Sequence, residues 1–549
     1  MDKVSSLYRI PQSPLECIDP KTGEFDIDLF LLYRRRSEFD KSFDELQAII
    51  DDDDVDEDDD YKDNVDDRKI SPRAKKSRSV KEPREQRMYR CPIDGQIKPL
   101  GPKNTPWFTE YIESPNITSQ KFQCKFRRRF RMSYRSFTKH LVEVKGSHYF
   151  RTWRSDNSDC VGRQCSHVEL LLLGALRYLG RGWTLDDLEE QTMICEEVHR
   201  RFLHAYISWG STHFFERYVV APSNKVDVEA NSKEYGIAGL PGCMGSQDAT
   251  HIGMHRCQYR LRQYHNSYKL PMPTRTYNLT VNHRRRILSS TRGHPGRWND
   301  KTLVLYDKLS TDLRDGRKYS DIEFELLERD PVTKNIKVVR YTGAWLIVDN
   351  GYLSWSTLIP PITNPLTWPE FRFSKWIESM RKDVECTFGI LKCRFAVLKR
   401  GINLHGIEAT DKIWLTCCAL HNFLLEEDGL EMNWDTSDPK DILDMAHGGQ
   451  EVIDVSGMGV GNDRAPVGIG NDESVETDSS NTFHEGVVDE SNSITEPCPN
   501  QSQSAPIKVW NMTRAQFRDR LVENFNIRWT RNEVVWPTRN GLGERPNIE

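Results

Sequence analysis

The sequence predicts an α/β fold for the middle of the chain, a mixed sheet flanked by helices. Between about residues 237 and 425, short segments rich in β-forming residues are separated by turns and followed by long helices. Three of them, MGSQDATHIGMH, YNLTVNHRRRILSSTRG and AWLIVDNGY, are predicted strands. A helix is predicted from Lys375 to Lys392, where an apolar residue recurs every three or four positions. A charged insertion, either a hairpin or a loop, is predicted at about 310–340.

The ends of the chain have compositions that predict disorder. Its 549 residues allow several domains. Residues 1–90 are predicted to be largely disordered, since 51–60 hold nine acids in ten residues and 68–90 hold ten Lys or Arg against two acids. Residues 430–505 are rich in Gly, Ser, Asp and Asn and are predicted to be a disordered linker. Residues 506–549 are predicted to form a small C-terminal element with aromatic anchors.

Residues 91–225 are predicted to form a helical, helix-turn-helix-like domain. Ser133 and Thr184 are placed to cap helix starts, and Ser166 with Glu169 has the pattern of a capping box. A unit of this kind either binds DNA or serves as an accessory packing domain. The basic cluster at 125–131 favours DNA, because phosphates attract dense positive charge regardless of sequence.

Several features predict an intracellular, and specifically nuclear, protein. The N-terminus lacks the pattern of a secretory signal, and the thirteen cysteines, an odd number, indicate reduced thiols. The aliphatic segment at 168–173 is interrupted by Glu169 and is too short to cross a bilayer, so no membrane association is expected. Residues 73–78, RAKKSR, are either a nuclear import signal or a solvated basic linker.

Three acidic residues stand in apolar surroundings at the expected ends of rigid elements. Asp248 lies within a predicted strand, Asp349 ends the run AWLIV, and Glu385 follows Val384 on the predicted helix. Each alone is an everyday feature of a strand or helix. Together they match two-metal phosphoryl transfer, in which carboxylates converge on two divalent ions, and hard oxygen ligands suit Mg²⁺ or Mn²⁺.

The local sequences around these acids resemble those of transposases of the Harbinger superfamily, related to plant transposon proteins. The similar segments are GSQDATHI at 245–252, HPGRWND at 294–300, DNGY at 349–352, VECTFGILKCRF at 384–395 and CCALHN at 417–422. Thirty-five residues separate Asp349 from Glu385, which is similar to the spacing of the family's second and third catalytic acids. The resemblance covers about 120–425.

This resemblance implies an RNase H-like fold and a DDE-type transposase that cleaves DNA at transposon ends and joins 3′-hydroxyls to target DNA. Asp248, Asp349 and Glu385 would be catalytic and would hold the two divalent ions. Asp300 corresponds to a residue sometimes counted as a further metal ligand; the alternative is a turn residue that caps 301–305. A separate Myb-like helper protein and a homo-oligomer assembled on DNA are also implied.

Basic and imidazole side chains near these acids in the sequence are candidates for DNA binding, since neutralising phosphates is their simplest common purpose. Solubility alone would also explain any one of them. The candidates are His251, Arg284, Arg285, Arg286, Arg297, Lys392 and Arg394.

Two other functions fit the same sequence. A host-adopted protein could retain the fold and bind DNA without catalysis, and a nuclease on this fold could cut DNA without joining it. The presence of all three acids favours catalysis, and DNA cleavage and strand-transfer assays distinguish the three alternatives.

Overall fold

The computed structural model describes residues 101–153, 166–223, 225–267, 269–428 and 505–537, together with the backbone of two short strands at 88–90 and 97–99. All of them belong to one compact unit, Gln86–Glu549. The acidic tract at 51–60, the candidate import signal at 73–78 and the linker at 431–504, which were predicted to be disordered, lie outside the described residues. No helix in the described part of the chain combines the length and the apolar character needed to cross a membrane.

Along the chain, a helical region is followed by a sheet region and then by a final helical segment. The longer helices are α1 Gln120–Phe130, α2 Tyr134–Gly146, α3 Val168–Arg181, α4 Leu185–Thr192, α5 Glu196–Trp209, α6 Lys225–Ile237, α7 Lys308–Arg314, α8 Trp368–Arg394, α9 Ile407–Glu427 and α10 Arg514–Thr530. The strands are β1 Met88–Arg90, β2 Ile97–Pro99, β3 Cys243–Gly253, β4 Thr274–Val281, β5 Ile287–Ser290, β6 His294–Pro295, β7 Glu323–Arg329, β8 Ile336–Thr342, β9 Trp345–Ile347, β10 Leu358–Ile359 and β11 Ile507–Lys508.

Side-chain caps fix the starts of several helices in the N-terminal helical region. Ser133 accepts a hydrogen bond from the Ser136 amide at the start of α2, and Thr184 forms a capping box with Asp187 at the start of α4. The capping box predicted at Ser166 is wrong. Helix α3 starts one residue later than that pattern requires, with His167 as its N-cap and no side-chain cap.

The helical region and the sheet region share one hydrophobic core. Helix α3 is buried from Leu170 to Gly180, so it lies at the centre of the helical region. The core continues from it to α9, whose Trp414 stacks on Tyr277 of β4 with ring centroids 4.7 Å apart. The helical region is therefore packed onto the sheet through α9.

The central sheet is mixed, in the order β10-β9-β3-β4-β5, with β6 also paired to β4. Strand β9 runs parallel to both β3 and β10, whereas β4 runs antiparallel to β3 and β5. Strand β4 is buried along its whole length, because helices cover this part of the sheet. The predicted mixed α/β class is confirmed.

Helix α8 is longer than predicted, at 27 residues from Trp368 to Arg394. A capping box between Thr367 and Glu370 fixes its start, seven residues before the predicted one. Its Trp376 and Met380 are fully buried. One long helix therefore connects the buried core of the sheet region to the position of Glu385.

The charged stretch at about 310–340 includes the antiparallel hairpin β7–β8. Strand β11, from the C-terminal segment, pairs parallel with β8 and extends this hairpin into a second, three-stranded sheet. Helix α10 then packs against β7 and α8 through buried residues that include Phe517 and Phe525. The C-terminal segment is thus part of the same core as the sheet region.

Candidate active site

Asp248 lies in the middle of β3, paired with Leu279 of β4. Its Oδ1 accepts a hydrogen bond of 2.7 Å from the amide of Ala249. The pKa of Asp248 is raised to about 6, chiefly by burial. The carboxylates of Asp349 and Asp300 also raise this pKa, whereas the hydrogen bond from the Ala249 amide and the charge of Arg381 lower it. Asp248 therefore lies in the electrostatic field of two other acids that are distant in sequence.

Asp349 follows β9, which runs parallel to β3. Because Ile347 pairs with Ser246, Asp349 lies two residues further along, level with Asp248 on the neighbouring strand. Its Oδ1 accepts a hydrogen bond of 2.8 Å from the amide of Gly351. The strand order alone therefore brings the two aspartates side by side.

Asp300 reaches the same place from the first turn of a short helix, Asp300–Leu303, capped by Asn299. A Cβ atom at Gly351 would lie 2.9 Å from Asp300 Oδ2 and 3.0 Å from Asp349 Oδ1. Burial and the charge of Asp349 both raise the pKa of Asp300. The two carboxylates therefore approach each other across a glycine that leaves them the space.

Glu385 joins this group through an arginine. Arg381 places Nη1 3.2 Å from Asp248 Oδ2 and Nη2 2.7 Å from Glu385 Oε1. Arg381 precedes Glu385 by one helical turn on α8, so both side chains lie on one face. The sequence analysis missed Arg381, although its position four residues before a candidate acid was visible.

These residues fit divalent ions by the chemistry of their donors. All four side chains offer carboxylate oxygens, the ligands that Mg²⁺ and Mn²⁺ prefer, and Gly351 leaves open space between two of them. Within the described ranges, however, no three His, Cys, Asp or Glu side chains lie close enough together to hold a metal ion as they stand. The guanidinium of Arg381 neutralises Asp248 and Glu385 instead.

Two of the DNA-binding candidates lie beside the acids. Lys392 Nζ donates a hydrogen bond of 2.8 Å to Thr250 Oγ1, two residues from Asp248 on β3. His251 Nδ1 lies 3.2 Å from the hydroxyl oxygens of Thr274 and Thr276. Burial, with Lys269 and Lys392 nearby, lowers the pKa of His251 to about 4, so its imidazole is neutral at pH 7.

The structure places Arg284, Arg285 and Arg286 away from the acids. They follow the end of β4 that pairs with Ser246, so the chain carries them away from Asp248. Their charges are used inside the protein. Arg284 pairs with Glu234 at 2.5 Å, Arg286 pairs with Glu426 at 2.8 Å, and the Nε of Arg285 is buried.

Arg394 is also unsuited to DNA binding, because only 1% of its surface is exposed. It follows Leu391 by three residues and so faces the same buried side of α8. Arg297 is exposed, three residues before Asp300, and its guanidinium lies 5.2 Å from the ring centroid of Tyr264. Of the arginine candidates, Arg297 is the one placed next to a site acid in sequence and exposed to solvent.

The raised pKa of Asp248 predicts a pH-dependent stability. Between about pH 4 and about pH 6, folded Asp248 holds a proton that the unfolded chain has released. The free energy of unfolding therefore falls as pH rises through this window. An asparagine at this position cannot titrate, so the free energy of unfolding of Asp248→Asn does not fall in this way. Relative to wild type, the free energy of unfolding of the variant should therefore rise by roughly 2 to 3 kcal/mol from pH 4 to pH 7.

Urea unfolding at both pH values, in the presence of a chelator, measures this difference. If the difference in free energy of unfolding between Asp248→Asn and wild type stays constant with pH, Asp248 is not buried among other acids.

Residues 216–432, which contain all four acids, match the family described as plant transposon protein. The resemblance to Harbinger transposases that the sequence predicted is confirmed.

About half of the chain is similar to curated relatives. The chain is 24% identical over 298 residues to “Putative nuclease HARBI1” of Rattus norvegicus, covering 53% of this chain and 75% of the relative. The Homo sapiens protein of the same name is 23% identical over 296 residues, with the same coverage. “Protein ALP1-like” of Arabidopsis thaliana is 25% identical over 271 residues, covering 46% of this chain and 59% of the relative. No solved structure matches the chain significantly.

Proposed function

We propose that this protein is a metal-dependent DNA endonuclease of DDE transposase type, built on an RNase H-like sheet, that cuts DNA and joins the freed 3′-hydroxyl to a target strand. The observation that carries the proposal is the approach of Asp248, Asp300 and Asp349 at one edge of the central sheet, with Glu385 linked to them by Arg381. The match of residues 216–432 to the plant transposon protein family supports the proposal, and two relatives are named as nucleases.

In this proposal Asp248, Asp349 and Glu385 hold two Mg²⁺ or Mn²⁺ ions, and Asp300 is a further ligand. The ions would activate the attacking oxygen and stabilise the leaving oxygen of the phosphodiester. Arg381 releases the two carboxylates that it pairs with and becomes available to the DNA phosphate. Its position between Asp248 and Glu385 makes it the cation that any incoming metal has to displace.

The basic side chains beside the acids would hold the DNA strand. Lys269 and Lys392 each lower the pKa of His251, so both ammonium groups lie near this imidazole, which is three residues along β3 from Asp248. Positive charge at this place would neutralise the phosphates next to the scissile bond. The helical region at 91–225 would add DNA contacts outside the active site, and we place the protein in the nucleus, as a homo-oligomer on DNA with a Myb-like helper.

A catalytically silent DNA-binding protein is the second candidate. The ion pairs of Arg381 favour it, because they occupy two of the three catalytic carboxylates. In that case Arg381 would be a permanent substitute for a metal ion.

An assay with purified protein decides between the candidates. Supercoiled plasmid and end-labelled duplex DNA are incubated with Mg²⁺, Mn²⁺ or a chelator, and the products are separated by size. We expect metal-dependent nicks that leave 3′-hydroxyls, together with strand-transfer products of increased length. Nicks without longer products would indicate a nuclease that does not join DNA. Binding without nicks in either metal would indicate the silent protein.

A further inference from the structure

A cavity of about 390 Å³ opens directly from the acid cluster. Asp349, Asn350 and Arg381 line it together with the apolar residues Pro361, Ile362, Pro365 and Phe371. Its volume is in the range of sites that bind small organic groups. A group bound in this cavity therefore lies close to Asp349 and Arg381.

Two large apolar side chains project into solvent beside this cavity. Leu366 is 90% exposed and follows Pro365, and Trp368 is 64% exposed. Trp368 also contacts Phe371, one of the lining residues, with ring centroids 5.6 Å apart in an edge-to-face arrangement. Exposed apolar side chains next to a cavity are typical of a binding surface.

The segment that carries these side chains is held firmly. The amide of Ile362 donates to Ser374 Oγ at 2.9 Å, and the amide of Leu366 donates to Glu370 Oε2 at 2.7 Å. Both acceptors are on α8, the helix that carries Arg381 and Glu385. The exposed side chains are therefore fixed in position relative to the acids.

Positive charge accompanies the aromatic rings. The Arg372 guanidinium lies 6.0 Å from the ring centroid of Trp368, and Lys375 Nζ lies 6.0 Å from that of Phe371. Sites that bind unpaired nucleotides commonly combine aromatic rings with cations. The rings stack on the bases, and the cations neutralise the phosphates.

We infer that this cavity binds an unstacked nucleobase of the DNA strand next to the bond being cut, with Phe371 and Trp368 stacking on unpaired bases. The inference rests on the proposed function, because it takes the scissile phosphate to lie at Asp349. The shared lining of Asp349, Arg381 and the apolar residues favours a nucleotide over a peptide: one nucleotide offers a phosphate to the acid site and a flat base to the apolar residues of the cavity. Thr363 and Ser374 supply hydrogen-bonding groups for the edge of that base.

The test compares two DNA duplexes of the same sequence, one fully paired and one whose last few base pairs are mismatched. Binding is measured by fluorescence anisotropy with Ca²⁺ in place of Mg²⁺. A fluorescent adenine analogue next to the mismatches reports unstacking. Because stacking on aromatic rings tolerates any base, the recognition sequence is not needed.

We expect wild type to bind the mismatched duplex about ten-fold more tightly than the paired one. Trp368→Ala should remove most of this preference and the fluorescence increase. Trp368→Phe should retain the preference, since it keeps a ring. Val332→Ala is the matched control, because Val332 is 87% exposed but lies at the β7–β8 turn and does not line the cavity.

The outcomes separate this inference from the proposed function. Equal affinity of wild type for both duplexes, or a Trp368→Ala variant that keeps the preference, would overturn the base-binding role even if the protein cuts DNA. A preference that depends on Trp368, in a protein that never cuts DNA with Mg²⁺ or Mn²⁺, would support the base site and reject the nuclease.

Discussion

Asp349→Asn is expected to abolish metal-dependent DNA cleavage, by a factor of at least about one hundred, while the protein stays folded. The change keeps the size and the hydrogen-bonding capacity of the side chain, so the bond from the Gly351 amide can persist. It removes one negative charge from a group in which Asp349 raises the pKa of both Asp248 and Asp300. Relief of this repulsion should leave the melting temperature unchanged or higher.

Two measurements check the prediction. Plasmid nicking with Mg²⁺ or Mn²⁺ gives the activity, and thermal unfolding with and without metal gives the stability gained from binding ions. Wild type should gain stability with metal, and Asp349→Asn should lose most of that gain. Asp321→Asn, an exposed aspartate outside the acid cluster, is the control and should behave as wild type. Metal-dependent nicking by Asp349→Asn at the wild-type rate would reject the assignment.

The two strand acids were accessible from sequence because each stands within or directly after an apolar, β-forming segment. Asp349 follows five apolar residues that form the buried strand β9 and its continuation, and Asp248 lies inside a segment that folds as β3. The parallel pairing of β9 with β3, which brings these acids together, was implied by the resemblance alone. Periodicity within a segment does not specify its neighbour in a sheet.

The arginines were harder to assign, because closeness in sequence is a poor guide to position around a sheet. The turn after β4 directs Arg284 to Arg286 away from Asp248, and a positive φ at Arg285 shapes that turn. Arg394 could have been excluded, since it shares a helix face with the buried Leu391. Arg381 could have been found in the same way, since it shares a face with Glu385.

The partner of the C-terminal helix could not be read from sequence at all. Its aromatic residues indicate that it docks on something, but more than seventy residues separate the end of α9 from β11. In the structure, Phe525 of α10 packs against Trp376 of α8 with ring centroids 6.0 Å apart. Trp376 precedes Glu385 by nine residues on α8. Pro537 lies beyond α10, and its carbonyl oxygen lies 3.1 Å from His283 Nε2, while His283 Nδ1 lies 2.6 Å from Asp383 on α8. The C-terminal segment therefore supports the helix that carries Arg381 and Glu385.

Phe525→Ala should consequently destabilise the sheet region strongly. The Phe525 side chain is fully buried and contacts Phe373 and Trp529 in addition to Trp376. Large-to-small changes at such sites cost about 3 to 5 kcal/mol through lost burial and the cavity that remains. Urea unfolding of the full chain, followed by tryptophan fluorescence, measures the loss, since Trp376 and Trp529 report on this interface.

The matched control for Phe525→Ala is Asp519→Ala on the same helix. The Asp519 side chain is 72% exposed, so its removal should change the free energy of unfolding by less than about 0.5 kcal/mol. A Phe525→Ala variant as stable as this control would mean that α10 is not part of the core of the sheet region. Loss of stability in Phe525→Ala alone would show that the C-terminal segment, although distant in sequence, is required to hold α8, and with it Arg381 and Glu385, against the sheet.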